Sequence, residues 1–139
     1  MPLQRFVVLA VLTFIISPAA VFLSSPVRAM DLNAFRAQHG RPALSVSSAL
    51  SGAAYSHANS MAGRQRLDHQ GFRARVPITS GAAAENVAFG CDDEDCAIRM
   101  WARSGRHRAN MLRGDVTYYG IALATAANGK RYWVLDLGN

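Results

Sequence analysis

An apolar N-terminal run limits how much of this 139-residue chain can fold as a domain. After a short positive start, the residues from Phe6 to Leu23 are mostly apolar, and Val27 and Ala29 occupy the small-residue positions that a signal peptidase recognises. This pattern predicts a secretory signal peptide over residues 1–29, with cleavage after Ala29. The alternative is an uncleaved membrane anchor. Against it, Ser17-Pro18 interrupts a run that falls short of the ~20 apolar residues of a spanning helix.

The rest of the chain predicts a single exported domain. Removing residues 1–29 from 139 leaves 110 residues, 30–139, which is within the usual size of one domain. Nothing in this part is apolar enough to cross a bilayer, so we expect no stable membrane insertion after cleavage. The signal pattern predicts a secreted or periplasmic location.

The charge of this domain is positive and comes almost entirely from arginine. The chain carries +6, and the predicted signal peptide contains two arginines, so residues 30–139 carry +4. Such a charge can attract an anionic envelope polymer, a lipid head group or nucleic acid. No aromatic residues are interleaved as a stacking platform requires, so we expect no nucleic-acid partner and favour a solvated surface. The two groups of arginines are Arg64, Arg66, Arg73 and Arg75, and Arg99, Arg103, Arg106, Arg108 and Arg113.

Two cysteines, Cys91 and Cys96, lie close together in the sequence. An even number of cysteines in an exported protein predicts a disulfide. Because the loop that it closes is short, its entropic gain is small, and we interpret it as fixing a strand end against the next helix. A metal site made of these thiols and the four acids between them is the alternative, which export disfavours.

The order of the predicted elements indicates the fold class. Helical signals come first and strand signals follow, without regular βαβ alternation, and Asn128-Gly129 is a strong hairpin signal. The sequence therefore predicts an α+β domain with an antiparallel sheet. Its predicted elements are a helix over 31–38, a helix from Ser47 or Ser48 to Arg64, an irregular segment with short helical turns over 65–84, a strand over 85–89, a helix from 92–95 to Arg103, a short turn over 108–112, and a hairpin of strands 118–126 and 131–137.

Three positions are candidates for chemistry. His69 lies where the chain enters the irregular segment, and an accessible histidine there can bind a metal or carry a proton. Glu85 leads directly into an apolar run, so we expect it at the rim of the core with a cation or donor beside it. A structural salt bridge is the simpler interpretation of Glu85. His107 follows a glycine that ends the preceding helix.

A serine hydrolase would use Ser104 as nucleophile, His107 as base and Glu85 as orienting acid. The sequence around Ser104 contains neither a nucleophile elbow nor a glycine-rich oxyanion loop, and we reject this interpretation. The HExxH pattern of zinc peptidases does not occur either.

The order and spacing of these segments resemble bacterial members of the CAP superfamily, which comprises cysteine-rich secretory, antigen 5 and pathogenesis-related proteins. The match covers nearly all of residues 30–139, and it implies an α–β–α sandwich with a small antiparallel sheet between helical layers. The matching segments are His69, Glu85-Asn86-Val87-Ala88, Trp101-x-x-Ser104-x-x-His107-x-x-Asn110-x-Leu112, and the hairpin that ends in Tyr132-Trp133-Val134.

In that family two histidines and two acids gather in a surface cleft, and some members hold zinc between the histidines. The resemblance implies that His69 and His107 are metal ligands and that Glu85 is the first acid, lining the cleft and a candidate catalytic residue. The second acid is replaced by Ser104, which would also line the cleft, so the set is incomplete. Two histidines alone predict weak binding of zinc or another divalent metal. His39 and His57 match no motif, and the helical position of His57 predicts a core-edge histidine.

Three functions are consistent with these features. We favour a non-enzymatic, monomeric secreted protein whose cleft binds a divalent metal together with a small molecule, a lipid or an envelope polymer. The second is a metal-dependent hydrolase of the peptidase type, with Glu85 as base. The third is a structural envelope protein with a vestigial cleft. The missing second acid favours binding over catalysis.

Overall fold

The computed structural model of the protein describes residues 28–76 and 81–139. Apart from its last two residues, the predicted signal peptide lies outside the described residues. Within these two ranges no helix is both long enough and apolar enough to cross a membrane. The elements in chain order are α1 (Leu32–Gln38), β1 (Ser45–Val46), α2 (Ser48–Arg64), α3 (Phe72–Arg75), β2 (Ala83–Phe89), α4 (Glu94–Ala102), α5 (Gly105–Met111), β3 (Tyr118–Thr125) and β4 (Arg131–Gly138).

Side-chain caps start three of the helices. Asp31 accepts a hydrogen bond from the Ala34 N–H at 2.7 Å and begins α1. Ser47, one of the two predicted caps, begins α2, and Asp93 accepts from the Cys96 N–H at 2.8 Å to begin α4. Because a cap satisfies a backbone donor that the helix cannot, such residues specify where a helix begins. These predicted helices are confirmed.

Two segments differ from the sequence prediction in detail. Within the irregular segment over 65–84, α3 forms a short helix and β2 begins at Ala83, two residues before the predicted strand. The predicted turn over 108–112 is the end of a longer helix, α5, that begins at Gly105. The carbonyl of Ser104 accepts a hydrogen bond from the Arg108 N–H at 2.8 Å, so the chain restarts a helix at the glycine instead of ending there.

The four strands of the described chain form one sheet in the order β1-β3-β4-β2. The β3–β4 and β2–β4 pairs are antiparallel, as predicted, and the β3–β4 hairpin is confirmed. The short strand β1 was not predicted, and it pairs with β3 in parallel. A two-residue strand has no periodicity to read, and α2 supplies the crossover that parallel pairing requires.

Helices cover both faces of the sheet, which confirms the α–β–α sandwich. On one face α2 packs Ala54, Ala58 and Met61 against Val87 and Val134. On the other face α1, α4 and α5 supply a second core, whose larger members are Leu32, Phe35, Ile98, Trp101, Met111, Trp133, Leu135 and Leu137. The two cores make β2 and β4 buried on both sides.

The start of α2 lies directly on β3 at Gly120. A side-chain carbon added to Gly120 would lie 2.1 Å from the backbone nitrogen of Ser51, so this position has no room for any other residue. Close contact at Gly120 fixes the distance between α2 and the sheet.

The disulfide between Cys91 and Cys96 is confirmed. It joins the end of β2 to the first turn of α4, as interpreted from the sequence. The carbonyl of Cys91 also accepts a hydrogen bond from Trp133 Nε1 at 2.9 Å. Together these contacts tie α4 to the sheet.

Candidate functional site

Glu85 is the centre of the candidate site. Glu85 is only 6% exposed, and its two carboxylate oxygens have different partners. His69 Nδ1 lies 2.8 Å from Oε1, and Arg75 Nη2 donates to Oε2 at 2.8 Å. A buried carboxylate needs such partners because burial without them is costly. The cation and donor that the sequence required of Glu85 are therefore present, and Arg75, which the sequence did not single out for this role, is the cation.

The Glu85 contact fixes how His69 presents its ring. Since a carboxylate only accepts hydrogen bonds, Nδ1 of His69 carries the proton in this contact and Nε2 is left to act as an acceptor or ligand. The side chain of His69 is 53% exposed, so Nε2 belongs to an accessible ring. An open depression of about 480 Å³ lies beside it, lined by His69, Gly71, Phe72, Arg73 and Ala74.

His107 is brought toward this site by asparagines. Asn86 Nδ2 donates to the backbone carbonyl of His107 at 2.9 Å, and Asn110 Nδ2 donates to Asn86 Oδ1 at 2.9 Å. These bonds hold α5 against β2. Burial and the nearby charge of His69 lower the pKa of His107, so the two histidines interact electrostatically and His107 favours its neutral form.

The site lies at the edge of the sheet where the two helical layers meet. β2 is an edge strand, and alternate residues along it face opposite layers: Glu85 lies on the face that packs against α2, and Asn86 on the face that packs against α5. The outer backbone carbonyl of Val87 accepts from Trp101 Nε1 at 3.0 Å. Helices α4 and α5 thus cover the strand edge and position His107.

The structure confirms the prediction that His57 is a core-edge histidine. It is 1% exposed, and Nε2 lies 2.7 Å from the backbone carbonyl of Asp68, which accepts its hydrogen bond. Nε2 is also 3.9 Å from Glu85 Oε1, so His57 closes the α2 side of the carboxylate. His39 lies elsewhere, where its ring packs on Phe35 and Nε2 accepts from Arg108 at 3.2 Å.

Ser104 does not join the hydrogen bonds of the site. It is half-buried at the start of α5, and among the described residues its hydroxyl makes no hydrogen bond to His69, Glu85 or His107. Its backbone accepts the first hydrogen bond of the helix. In this structure Ser104 acts on the site through the placement of α5.

Sequence reasoning missed Asp136, which is the second buried carboxyl beside Glu85. It lies on β4 directly opposite Glu85 and is fully buried. Within residues 28–76 and 81–139 no donor reaches either of its oxygens, and Arg75 Nη1 is 3.9 Å from Oδ2. Burial and the negative charge of Glu85 raise the pKa of Asp136 to about 8, against the opposing effect of Arg75. The sequence feature that could have indicated Asp136 is an acid inside the apolar run of β4.

Both predicted arginine groups are partly neutralised by neighbouring acids. Arg64 binds Asp68 at 2.7 Å and holds the pKa of that carboxyl well below its usual range. In the second group, Arg99 binds Asp95 at 2.7 Å. These exposed pairs agree with a solvated surface.

The described residues do not form a complete metal site on their own. No group of three or more His, Cys, Asp or Glu side chains among the described residues is arranged to hold a metal ion. His69 and His107 offer two imidazole nitrogens of the kind that zinc accepts, whereas both oxygens of Glu85 are already engaged. A metal here would need its remaining ligands from water or from a bound molecule.

The sandwich, its edge site and the two histidines define a domain of the CAP type. The chain belongs to the cysteine-rich secretory protein (CAP) family, whose model matches residues 31–137. No curated protein sequence matches the chain significantly.

Solved structures of bacterial proteins share this fold. An outer surface protein from Borrelia burgdorferi superposes with a TM-score of 0.69 at 15% identity, over 78% of this chain and 86% of that one. An extracellular protein containing an SCP domain from Bacillus anthracis gives 0.64 at 21% identity, over 78% and 37%. A cysteine-rich secretory protein from Staphylococcus aureus gives 0.58 at 22% identity, over 76% and 35%. The chain therefore spans about a third of the last two proteins.

Proposed function

We propose that this protein is an exported, monomeric CAP domain that binds a divalent metal, zinc being the best fit, through His69 and His107, without catalysing a reaction. The observation that carries this proposal is the hydrogen bond from His69 Nδ1 to Glu85 at 2.8 Å. A carboxylate on one ring nitrogen orients a histidine and makes its other nitrogen a better metal ligand. The lowered pKa of His107 favours the neutral form that a metal requires.

Glu85 supports a binding role better than a catalytic one. A general base must reach the proton that it removes, directly or through one water. The side chain of Glu85 is 2% exposed and its oxygens bind His69 and Arg75. Its role is to orient His69.

The open depression beside His69 offers room for the rest of a ligand. A small molecule, a lipid head group or an envelope polymer with oxygen donors would complete the coordination of the metal. An envelope location supports such ligands, and similar folds occur in an outer surface protein and in an extracellular protein. Secretion or release into the periplasm after cleavage at Ala29 belongs to the same proposal.

Zinc titration by calorimetry tests this proposal. We expect saturable binding of one zinc ion by the protein, weakened by about 10-fold or more in both His69→Ala and His107→Ala. His39→Ala is the matched control, because His39 is an exposed histidine outside the site, and it should keep the affinity of the unchanged protein. Equal zinc affinity in all four proteins would contradict the proposal.

A chelator separates binding from hydrolysis. Turnover of a peptide or an ester by the protein, abolished by the chelator and by His69→Ala, would replace the binding proposal with the metal-dependent hydrolase. We expect no turnover with either class of substrate.

A further inference from the structure

A second acid lies beside Glu85 on β4, and not at position 104, where the family pattern has it. Glu85 on β2 and Asp136 on β4 are directly opposite each other in the register, on the same face of the sheet. Side chains at such paired positions are neighbours, with Cβ atoms about 5 Å apart. Both residues are buried, Asp136 completely. The site therefore contains two adjacent carboxyl groups.

The two carboxyl groups differ in the hydrogen-bond donors that reach them. Glu85 receives a donor on each oxygen, from His69 and from Arg75. In the described part of the chain, Asp136 receives none on either oxygen. A buried carboxylate without donors is far more costly than a buried neutral acid. The hydrogen bonds thus favour the ionised form of Glu85 and the neutral form of Asp136.

The charges around the pair point to the same assignment. Arg75 is the one permanent cation among the described residues within 4 Å of either carboxyl, at 2.8 Å from Glu85 and 3.9 Å from Asp136. The other titratable groups of the described chain that contact the pair are His69 and, from α2, His57, whose Nε2 donates to a backbone carbonyl. Two adjacent buried carboxylates against one cation cannot both ionise readily.

We propose that Asp136 is the second acid of the site, that it is held as the neutral carboxylic acid at neutral pH, and that it is a positioning residue for Glu85 and His69. The Glu85–Asp136 pair then carries one negative charge, which Arg75 balances. A neutral Asp136 can donate a hydrogen bond to the carboxylate of Glu85, and Glu85 in turn orients the ring of His69. The acid thereby supports the position from which His69 binds a metal. This consequence for metal binding rests on the proposed function, whereas the protonation of Asp136 does not.

Infrared spectroscopy of the metal-free protein at pH 7 tests the protonation. We expect the carbonyl band of a protonated carboxylic acid, and we expect it to disappear in Asp136→Asn. Glu94→Gln is the matched control, because burial also raises the pKa of Glu94, which lies outside the site, and this variant should keep the Asp136 band. Absence of the band in the unchanged protein, or its persistence in Asp136→Asn, would overturn the assignment.

A second measurement needs no variant. In the unchanged protein labelled with ¹³C at the aspartate carboxyls, one aspartate should keep the chemical shift of the acid form at pH 7. Labelling aspartate alone leaves Glu94 invisible, so the signal belongs to an aspartate. Seven ionised aspartates at this pH would refute the proposal even if Asp136→Asn failed to fold.

Zinc binding tests separately whether a charge on Asp136 is needed. The amide of Asp136→Asn is neutral, as the acid is, so this variant should keep the zinc affinity of the unchanged protein within about threefold, whereas a loss of about 100-fold would show that a charged Asp136 was needed. If the unchanged protein binds no zinc, the proposed function fails, and the infrared band still decides the state of Asp136.

Discussion

Two arginines extend into the interior on opposite sides of the sheet, and they are held in different ways. Arg36 on α1 is 1% exposed, and its guanidinium donates to backbone carbonyls: Nε to Pro42 at 2.9 Å, and Nη1 to Met111 at 2.7 Å and Arg113 at 3.0 Å. Arg75 on α3 instead binds the carboxylate of Glu85, beside Asp136 and His69.

The difference shows that a buried charge does not by itself mark a functional site. Arg36 joins α1 to the chain before β1 and to the end of α5, and no titratable partner shares its hydrogen bonds. Its contribution is to stability. Arg75 belongs to a group of ionisable side chains that reaches an exposed histidine, so the charge of that group can respond to pH and to a ligand.

The largest expected effect comes from removing the purely structural arginine. Arg36→Met should lower the free energy of unfolding by about 3–5 kcal/mol, because it leaves three backbone carbonyls without their donor. Urea unfolding measures this loss, which should be the same at pH 5 and pH 8. Arg103→Met, an exposed control on the same side of the sheet, should change little. An Arg36→Met loss that varied strongly with pH would remove the distinction between the two arginines.

The contribution of Glu85, Asp136 and Arg75 to stability should depend on pH, whereas that of Arg36 should not. The pKa of Asp136 is raised on folding, so between about pH 4 and pH 8 the native state holds a proton that the unfolded chain has released. This difference lowers the stability of the unchanged protein as the pH rises through this range. Asp136→Asn removes it.

Urea unfolding across this pH range checks the effect. The stability of Asp136→Asn relative to the unchanged protein should rise from pH 4 to pH 8 and level off above it. A difference that stays constant, or that falls with pH, would mean that Asp136 is ionised in the native state.

Removing an exposed ion pair should change the free energy of unfolding least. Such a pair provides the comparison for Arg36 and Arg75. Arg99 binds Asp95 one helical turn away on the surface of α4. Solvent and salt screen such pairs, so Arg99→Ala should leave the stability within the error of urea unfolding at 0.15 M salt. A clear loss there would show that surface arginines contribute more than we assign to them.

Local signals in the sequence were sufficient for most of the fold. Asp31 and Ser47 specify where α1 and α2 begin, because a cap acts on the backbone of its own helix. Asn128-Gly129 likewise predicts the hairpin. The loop itself spans three residues, since Ala126 and Lys130 still pair and Gly129 takes a positive φ of 81°.

Contacts between residues far apart in the chain could not be predicted from the sequence. The importance of Asp136 depends on the register that places it opposite Glu85, 51 residues earlier in the chain. Arg75 reaches Glu85 because α3 forms inside a segment without regular periodicity. The resemblance to a family indicated His69, Glu85 and His107. It gave no indication of Asp136, because the family pattern has its second acid at position 104, at the start of α5, whereas Asp136 lies on β4.

In the proposed function, His69 and His107 bind one metal ion together at the edge of β2. The most direct test is a zinc titration followed by NMR of the imidazole signals of the four histidines. We predict that the signals of His69 and His107 shift together and saturate at the same zinc concentration, while those of His39 and His57 stay in place. A shift of His69 without His107, or equal shifts of all four, would contradict the account.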